Sequence, residues 1–324
     1  MTTDVAKPEP ADAFVPTDAE QEAYSAVAEV GQQRLSRTRW QRARISLSKA
    51  PPTAWFGMVV IAAYLFVALF APLLAPYGEA QVFKTPYAPW SLIAGGDHVF
   101  GTDQIGRDVL SRLIYGARNT MGIALATTLL SFLIGGGLGL AAAIAGGWTD
   151  QLLSRLVDVL MAIPSLIFAL MLLSIFGTSI TSLVIIIAVL DATRVFRLTR
   201  AVAVGVTVMD YVEAARLRGE GLGWIMRREI LPNIMPPLVA EFGLRFCFVF
   251  LSIAALSFLG LGIQPPTADW GSMVRENASL IQFAQYDLTA ALTPLLPAAA
   301  IALLTVAVNF VVDWFLHKTS GLKE

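Results

Sequence analysis

Three groups of residues in this chain have types and spacing that chemistry could use. His98, Asp103 and Asp108 would suit a metal ion, but they do not fall on one helical face, and a single histidine offers little selectivity. With Gly101 and Gly106 beside them, a tight turn stabilised by the two carboxylates is the favoured reading. Gly135, Gly136, Gly137 and Gly139 would suit a phosphate cradle. A phosphate loop needs Lys-Ser/Thr after its glycines, and here Leu140 and three alanines follow, so close helix packing is preferred. Asp158, Asp191 and Asp313 stand in apolar sequence, where an acid either relays protons or meets a cation. Asp158 has Arg155 and the arginines of the next apolar stretch within reach, and Asp191 precedes Arg194 by three residues, a spacing that pairs side chains on a helix. Ion pairing is therefore expected over a proton relay. No nucleophile–base set is present, and the lone Cys247, in an apolar run, reads as a small buried hydrophobe.

The most ordered polar stretch is 211–237, which holds Arg216, Arg218, Arg227, Arg228, Glu213, Glu220 and Glu229 between two long apolar runs. Asp210 is a candidate N-cap, with Glu213 three residues on as in a capping box. That predicts a short helix over 212–218, a break at Gly219 and Gly221, and a second short helix over 222–230 stopped by Pro232. Leu217, Leu222, Trp224 and Ile225 near the elbow would be available to a partner's groove.

The elements that must position these groups are membrane helices. The chain is 56% hydrophobic and only 15% charged, against about 25% charged in soluble domains. Six stretches reach the roughly 20 apolar residues a span requires: 54–76, 121–147, 152–176, 179–195, 234–261 and 290–316. Placing the N-terminus in the cytoplasm puts eighteen of the 23 basic residues on the inner side; Lys84, Arg107, Arg112, Arg118 and Arg275 remain outside. Both termini and the 211–237 loop are then cytoplasmic. Residues 1–33 are acidic and proline-bearing and carry no apolar leader core, so the first span is expected to be an uncleaved anchor. Residues 34–49 contain six basic and no acidic residues, suited to anionic headgroups. From Asp108 onward, Val109, Leu110, Leu113 and Ile114 oppose Arg107, Arg112 and Arg118, predicting an amphipathic helix on the outer interface ahead of the second span. Pro164 should kink the third span. Arg194, Arg197 and Arg200 line one face as the fourth span leaves the membrane, an arrangement suited to anchoring.

Glu213-Ala214-Ala215, Gly219, and Leu231-Pro232 together resemble the EAA loop of binding-protein-dependent ABC importer permeases. The family's isoleucine two residues before Leu-Pro is Glu229 here. GTDQIGRDVLSRLIYGAR and LSFLGLGIQPPTADWGSM resemble the second (C-type) permease subunit of dipeptide, oligopeptide and nickel importers, over about residues 45–318. Where that family often has an acid before LSFLGLG, this chain has Ser252-Ile253-Ala254-Ala255.

The resemblance implies an all-α integral membrane fold of the type I importer class: six transmembrane helices, a five-helix core plus an N-terminal helix. It implies a tail over 1–53, a permease domain over 54–318 with its coupling loop at 208–233, and a cytoplasmic end over 319–324. Glu213, Ala214, Ala215, Arg216, Leu217, Gly219, Leu222, Leu231 and Pro232 would dock on an ATPase. Gly101, Thr102, Asp103, Gly106, Arg107 and Asp108 would form the outer-face motif. Leu256, Ser257, Phe258, Leu259, Gly260 and Trp270 would belong to the permease interface or gate, with Trp270 and Tyr286 equally readable as interfacial aromatics. The implied partners are a homologous second permease, two cytoplasmic ATPases, a periplasmic or lipid-anchored solute-binding protein, a peptide-like substrate and the lipids of a bacterial inner membrane, with no nucleic acid. No catalytic, metal or cofactor site is expected in this chain: it has no Gly-Lys-Ser/Thr, so ATP and magnesium would be bound by the ATPases. One competing reading, a proton-coupled transporter acting alone, would rest on Asp158, Asp191 and Asp313; the other is the same importer type carrying glutathione, nickel chelates or opines.

Overall fold

The computed structural model describes residues 50–91 and 97–319. The acidic tail, the basic segment 34–49 and residues 320–324 lie outside the described residues.

The order of elements is α1 (Pro52–Leu69), α2 (Val109–Ala145), α3 (Gly147–Ala162), α4 (Ser165–Phe176), α5 (Ile180–Thr207), α6 (Asp210–Leu217), α7 (Leu222–Ile225), α8 (Leu231–Phe258), α9 (Trp270–Asn277) and α10 (Leu288–Thr319). Among the described residues no strand forms, only isolated bridges pairing Val82 with Arg107 and Thr102 with Asp108. Among the described residues four helical stretches are long and apolar enough to cross a membrane, and α3 with α4 makes a fifth if taken as one span. The expected fourth span runs on as α5 to Thr207, with Asp191 and Arg194 about its middle and Arg197 in its second half.

Two expectations change here. Residues from 109 do not form a separate interfacial helix. Val109–Ala145 is one helix of 37 residues, about 55 Å long, so it outruns a hydrocarbon core of about 30 Å. Arg107 and Arg112 are buried at its start rather than exposed. The third span is broken rather than kinked, for α3 and α4 meet at 89°. Pro164 drives its preceding residue out of helical space, and Ile163 sits at φ −89, ψ 131.

The core is a helix bundle in which α2 packs most extensively against α5. Lipid tails are as apolar as leucine, so close packing rather than burial holds such helices together. A Cβ at Gly135 would strike the Ala192 carbonyl oxygen, and one at Gly139 would come within 2.7 Å of that of Phe196. Gly137 has nothing within 4 Å, so two of the four glycines in the run make the contact. Val109, Met121, Leu183, Phe250 and Leu256 lie in the main core, and Trp270 is sealed into it with its ring edge-on to Tyr64 and Phe250.

Candidate functional site

The loop between α5 and α8 is built from two short helices. Helix α6 starts after Met209, and Asp210 is its first residue rather than its cap; no side chain caps it. Asp210 and Glu213 instead place negative charge in the first turn, where the helix dipole favours it. At the other end the Gly219 amide donates to the Arg216 carbonyl (2.9 Å) and the Glu220 amide to that of Ala215 (3.2 Å). This paired closure needs a left-handed residue after the cap, and Gly219 supplies it at φ +80.

Pro232 does not stop the second helix. Met226–Ile230 forms one wide π-turn, and the chain passes through it into α8. In an α-helix the Pro232 ring would press on the Arg228 carbonyl. The wide turn relieves that crowding, and the Asn233 side-chain amide donates to the Glu229 carbonyl at 2.6 Å. The loop is thus joined to a 28-residue span without a flexible joint.

One face of this knob is rooted in the bundle. Val212, Ala215, Ile225 and Ile230 are buried against Leu140 of α2, Ala203 of α5, and Ile234 and Leu238 of α8. Ile225, expected to be available to a partner, belongs to this root. The opposite face exposes Leu217 at 83%, Leu222 at 63% and Trp224 at 39%. Glu213, Ala214, Arg216 and Gly219 are exposed beside them, and Leu231 and Pro232 lie at the rim.

Of the three acids in apolar sequence, Asp158 and Asp191 are ion-paired, and Asp313 is exposed. Arg197 bonds Asp158 at 2.5 Å, and Arg200 holds Asp150. Asp191 does not take Arg194 as its ion-pair partner. It accepts from the Ser131 hydroxyl at 3.2 Å and lies 3.5 Å from Arg245, which also meets Glu241 at 2.7 Å. Sequence spacing within one helix could not reveal a partner on α8. Arg194 is exposed and borders a cavity of about 350 Å³ at the α3–α4 break, with Leu160, Ser165, Leu190 and Thr193.

At the opposite end of the bundle the 101–108 turn is stitched by its own side chains. Gly101 and Gly106 have φ of +70 and +89. The Thr102 hydroxyl donates to the Thr85 carbonyl (2.6 Å) and accepts from the Ala88 amide (2.8 Å). Asp103 accepts from the Ile105 and Arg107 amides. Its other oxygen takes Arg107 Nε (2.7 Å) and Arg112 Nη1 (2.6 Å), and Glu276 receives the same two arginines at 2.7 and 2.5 Å. Glu276 carried no signal in sequence, because it reaches this cluster from α9. Asp108 caps α2 by accepting from Ser111, and His98 Nδ1 lies 2.9 Å from its other oxygen. Among the described residues no group of three His, Cys, Asp or Glu is arranged for a metal.

The gate candidates divide. Leu256, Ser257 and Trp270 are buried inside this chain, with Trp270 Nε1 donating to the Leu113 carbonyl at 2.9 Å, so they are core rather than partner contacts. Phe258, Leu259 and Tyr286 are exposed, and Gly260, at φ +89, packs beside Arg275. Asp269 caps α9 by accepting from the Ser272 amide, and burial pushes its carboxyl above the ordinary carboxylate range.

The family of the binding-protein-dependent transport system inner membrane component matches residues 134–318. The N-terminal TM domain of oligopeptide transport permease C matches 38–89. The di/tripeptide transport system permease protein DppC of Pseudomonas aeruginosa is 38% identical over 260 residues, covering 79% of this chain and 84% of that one. The dipeptide transport system permease protein DppC of Escherichia coli K12 is 40% identical over 260 residues, covering 79% and 85%. Its counterpart in Alkalihalophilus pseudofirmus is 33% identical over 276 residues, covering 85% and 87%.

Proposed function

The chain belongs to the inner membrane components of binding-protein-dependent transport systems, and on that premise we propose that it is one of two permease subunits in an ATP-driven importer of short peptides. The peptide class follows the names of the relatives, which are dipeptide and di/tripeptide permeases. In this reading a second permease completes the path, two ATPases bind at the loop end, and a solute-binding protein delivers substrate at the 101–108 end. Both termini lie in the cytoplasm of a bacterium, and the ATPases carry the nucleotide and its magnesium.

The observation that carries the reading is the α6–α7 knob. It exposes Leu217, Leu222 and Trp224 on one side and sends the other into the ends of α2, α5 and α8. An apolar, elbow-shaped projection of this kind suits a groove on a partner. Its π-turn continuity with α8 would pass a push from that partner into the span. A proton relay finds less support, because Asp158 has Arg197 as a partner and Asp191 has Arg245.

The test is Leu217→Asp with Leu222→Asp in the assembled transporter. The permease pair should still insert and pair, while the ATPases no longer co-purify and ATP-driven dipeptide uptake is lost. Uptake by the permease alone, driven by a proton gradient without ATP, would overturn the proposal.

A further inference from the structure

The arginines of α5 and α8 are neutralised with one exception. Arg197 has Asp158, Arg200 has Asp150, and Arg245 has Asp191 and Glu241. Arg194 makes no ion pair among the described residues, and it stands at the middle of α5, where the apolar run 180–190 gives way to Arg197 and Arg200. Asp191 is one turn away on the same helix, but Arg245 and Ser131 take its oxygens. A guanidinium cannot shed its charge at any physiological pH. One at the end of an apolar span therefore faces water or a partner rather than lipid.

Arg194 faces such a space. It lines the cavity of about 350 Å³ opened where α3 and α4 part at 89°. It also lines the adjoining recess together with Asp191, where Ser252 and Phe248 of α8 stand opposite. The walls are Leu160, Leu166 and Leu190, with hydroxyls at Ser165 and Thr193. The first turn of α4, free of any side-chain cap, begins at the same wall and adds amide donors. Apolar walls with a cation and a few convergent hydroxyls match a small-ligand site; Asp191 shares the recess but is engaged by Arg245 and Ser131, so the guanidinium without an ion pair sets the ligand's sign.

We propose that Arg194 is a substrate-contacting residue of the translocation path, receiving the C-terminal carboxylate of a short peptide while its side chains rest on the leucine walls. The proposal deepens the importer reading and rests on it. A single cation suits a transit site, since conduction needs binding strong enough to enter and weak enough to leave.

The experiment uses the assembled importer with its solute-binding protein in proteoliposomes, and alanyl-phenylalanine as the probe. Arg194→Gln should lower saturated uptake on the order of ten- to a hundredfold, the range for losing a hydrogen bond to a charged group. The half-saturating concentration, set by the solute-binding protein, should stay unchanged, and the ATPases should still co-purify. Arg194→Lys should recover most of the rate. A purely structural role in balancing Asp191 would be relieved in the double variant Asp191→Asn, Arg194→Gln; the proposal expects no recovery there. Direct binding to the permease complex without the solute-binding protein should favour alanyl-phenylalanine over its C-terminal amide, and Arg194→Gln should erase that preference. Normal uptake by Arg194→Gln, recovery in the double variant, or equal binding of acid and amide would each overturn the subsite alone. Absence of ATP-driven dipeptide uptake in the unaltered complex would remove the importer reading and the subsite with it.

Discussion

Replacement of Gly219 separates backbone geometry from crowding. Gly219, Gly221 and Gly223 all sit in the α6–α7 elbow, and a Cβ at any of them would have nothing within 4 Å. They differ in dihedral: Gly219 is at φ +80, whereas Gly221 is at −71. An ordinary L-residue in the left-handed region costs about 1–2 kcal/mol, and asparagine less because its short side chain bonds locally. That cost falls on the conformer in which the Gly219 and Glu220 amides reach Arg216 and Ala215, which is the conformer that holds α6 and α7 together. Since 1.4 kcal/mol is a factor of ten, Gly219→Ala should weaken ATPase binding by up to about thirtyfold. Gly221→Ala and Gly223→Ala should stay within about twofold, as surface changes usually do. At position 219 the loss should rise from Asn through Ala to Val, because β-branching suits positive φ least. The assay is titration of purified ATPase onto the permease pair in nanodiscs, with ATP-driven uptake measured in parallel. Equal losses for Gly219→Ala and Gly221→Ala, or a Val variant no worse than Asn, would refute the argument.

Glu276→Ala strips an acceptor from both Arg107 and Arg112, which are buried, and should cost about 3–5 kcal/mol; thermal melting of the complex should show it as a fall of several degrees. Arg197→Ala breaks a pair whose side chains are 54% and 58% exposed, and should cost no more than about 1 kcal/mol, so equal melting shifts for the two variants would contradict this ranking. Asp269→Ala loses the α9 cap and should cost about 1 kcal/mol, whereas Asp269→Asn keeps the cap and removes a buried charge. Because the folded carboxyl is held above its unfolded value, the wild type gains stability as pH falls through that raised range, and any advantage of the Asn variant at pH 7 should shrink toward pH 4; an advantage that grew would refute the sign. Gly135→Leu drives a side chain into the Ala192 carbonyl, whereas Gly137→Leu enters open space; only the first should lower the melting temperature and the yield of folded protein, by about 1–3 kcal/mol if the helices can part slightly.

The amino-acid sequence by itself determined the membrane class, the ordered interruption at 211–237 and the glycine at its elbow. These are local properties: apolar length, charge placement and a left-handed dihedral are carried by neighbouring residues. It also led to the family, through motifs that stand whole in the linear chain. The tertiary structure alone decided which charges meet. Asp191 had Arg194 within reach on its own helix, yet its ion pair is with Arg245, because α8 packs against that face of α5. Glu276 joins Asp103 across more than 160 residues only because α9 folds onto the start of α2. Trp270 and Ser257, expected at the permease interface or gate, are buried within this chain. Pro232 read as a stop, and a widened turn let the helix pass, a choice open only where burial of Ile225, Ile230 and Ile234 holds that turn in place. Periodicity and spacing describe one helix at a time, whereas ion pairs, burial and the cavity beside Arg194 arise between helices whose crossing is set by packing.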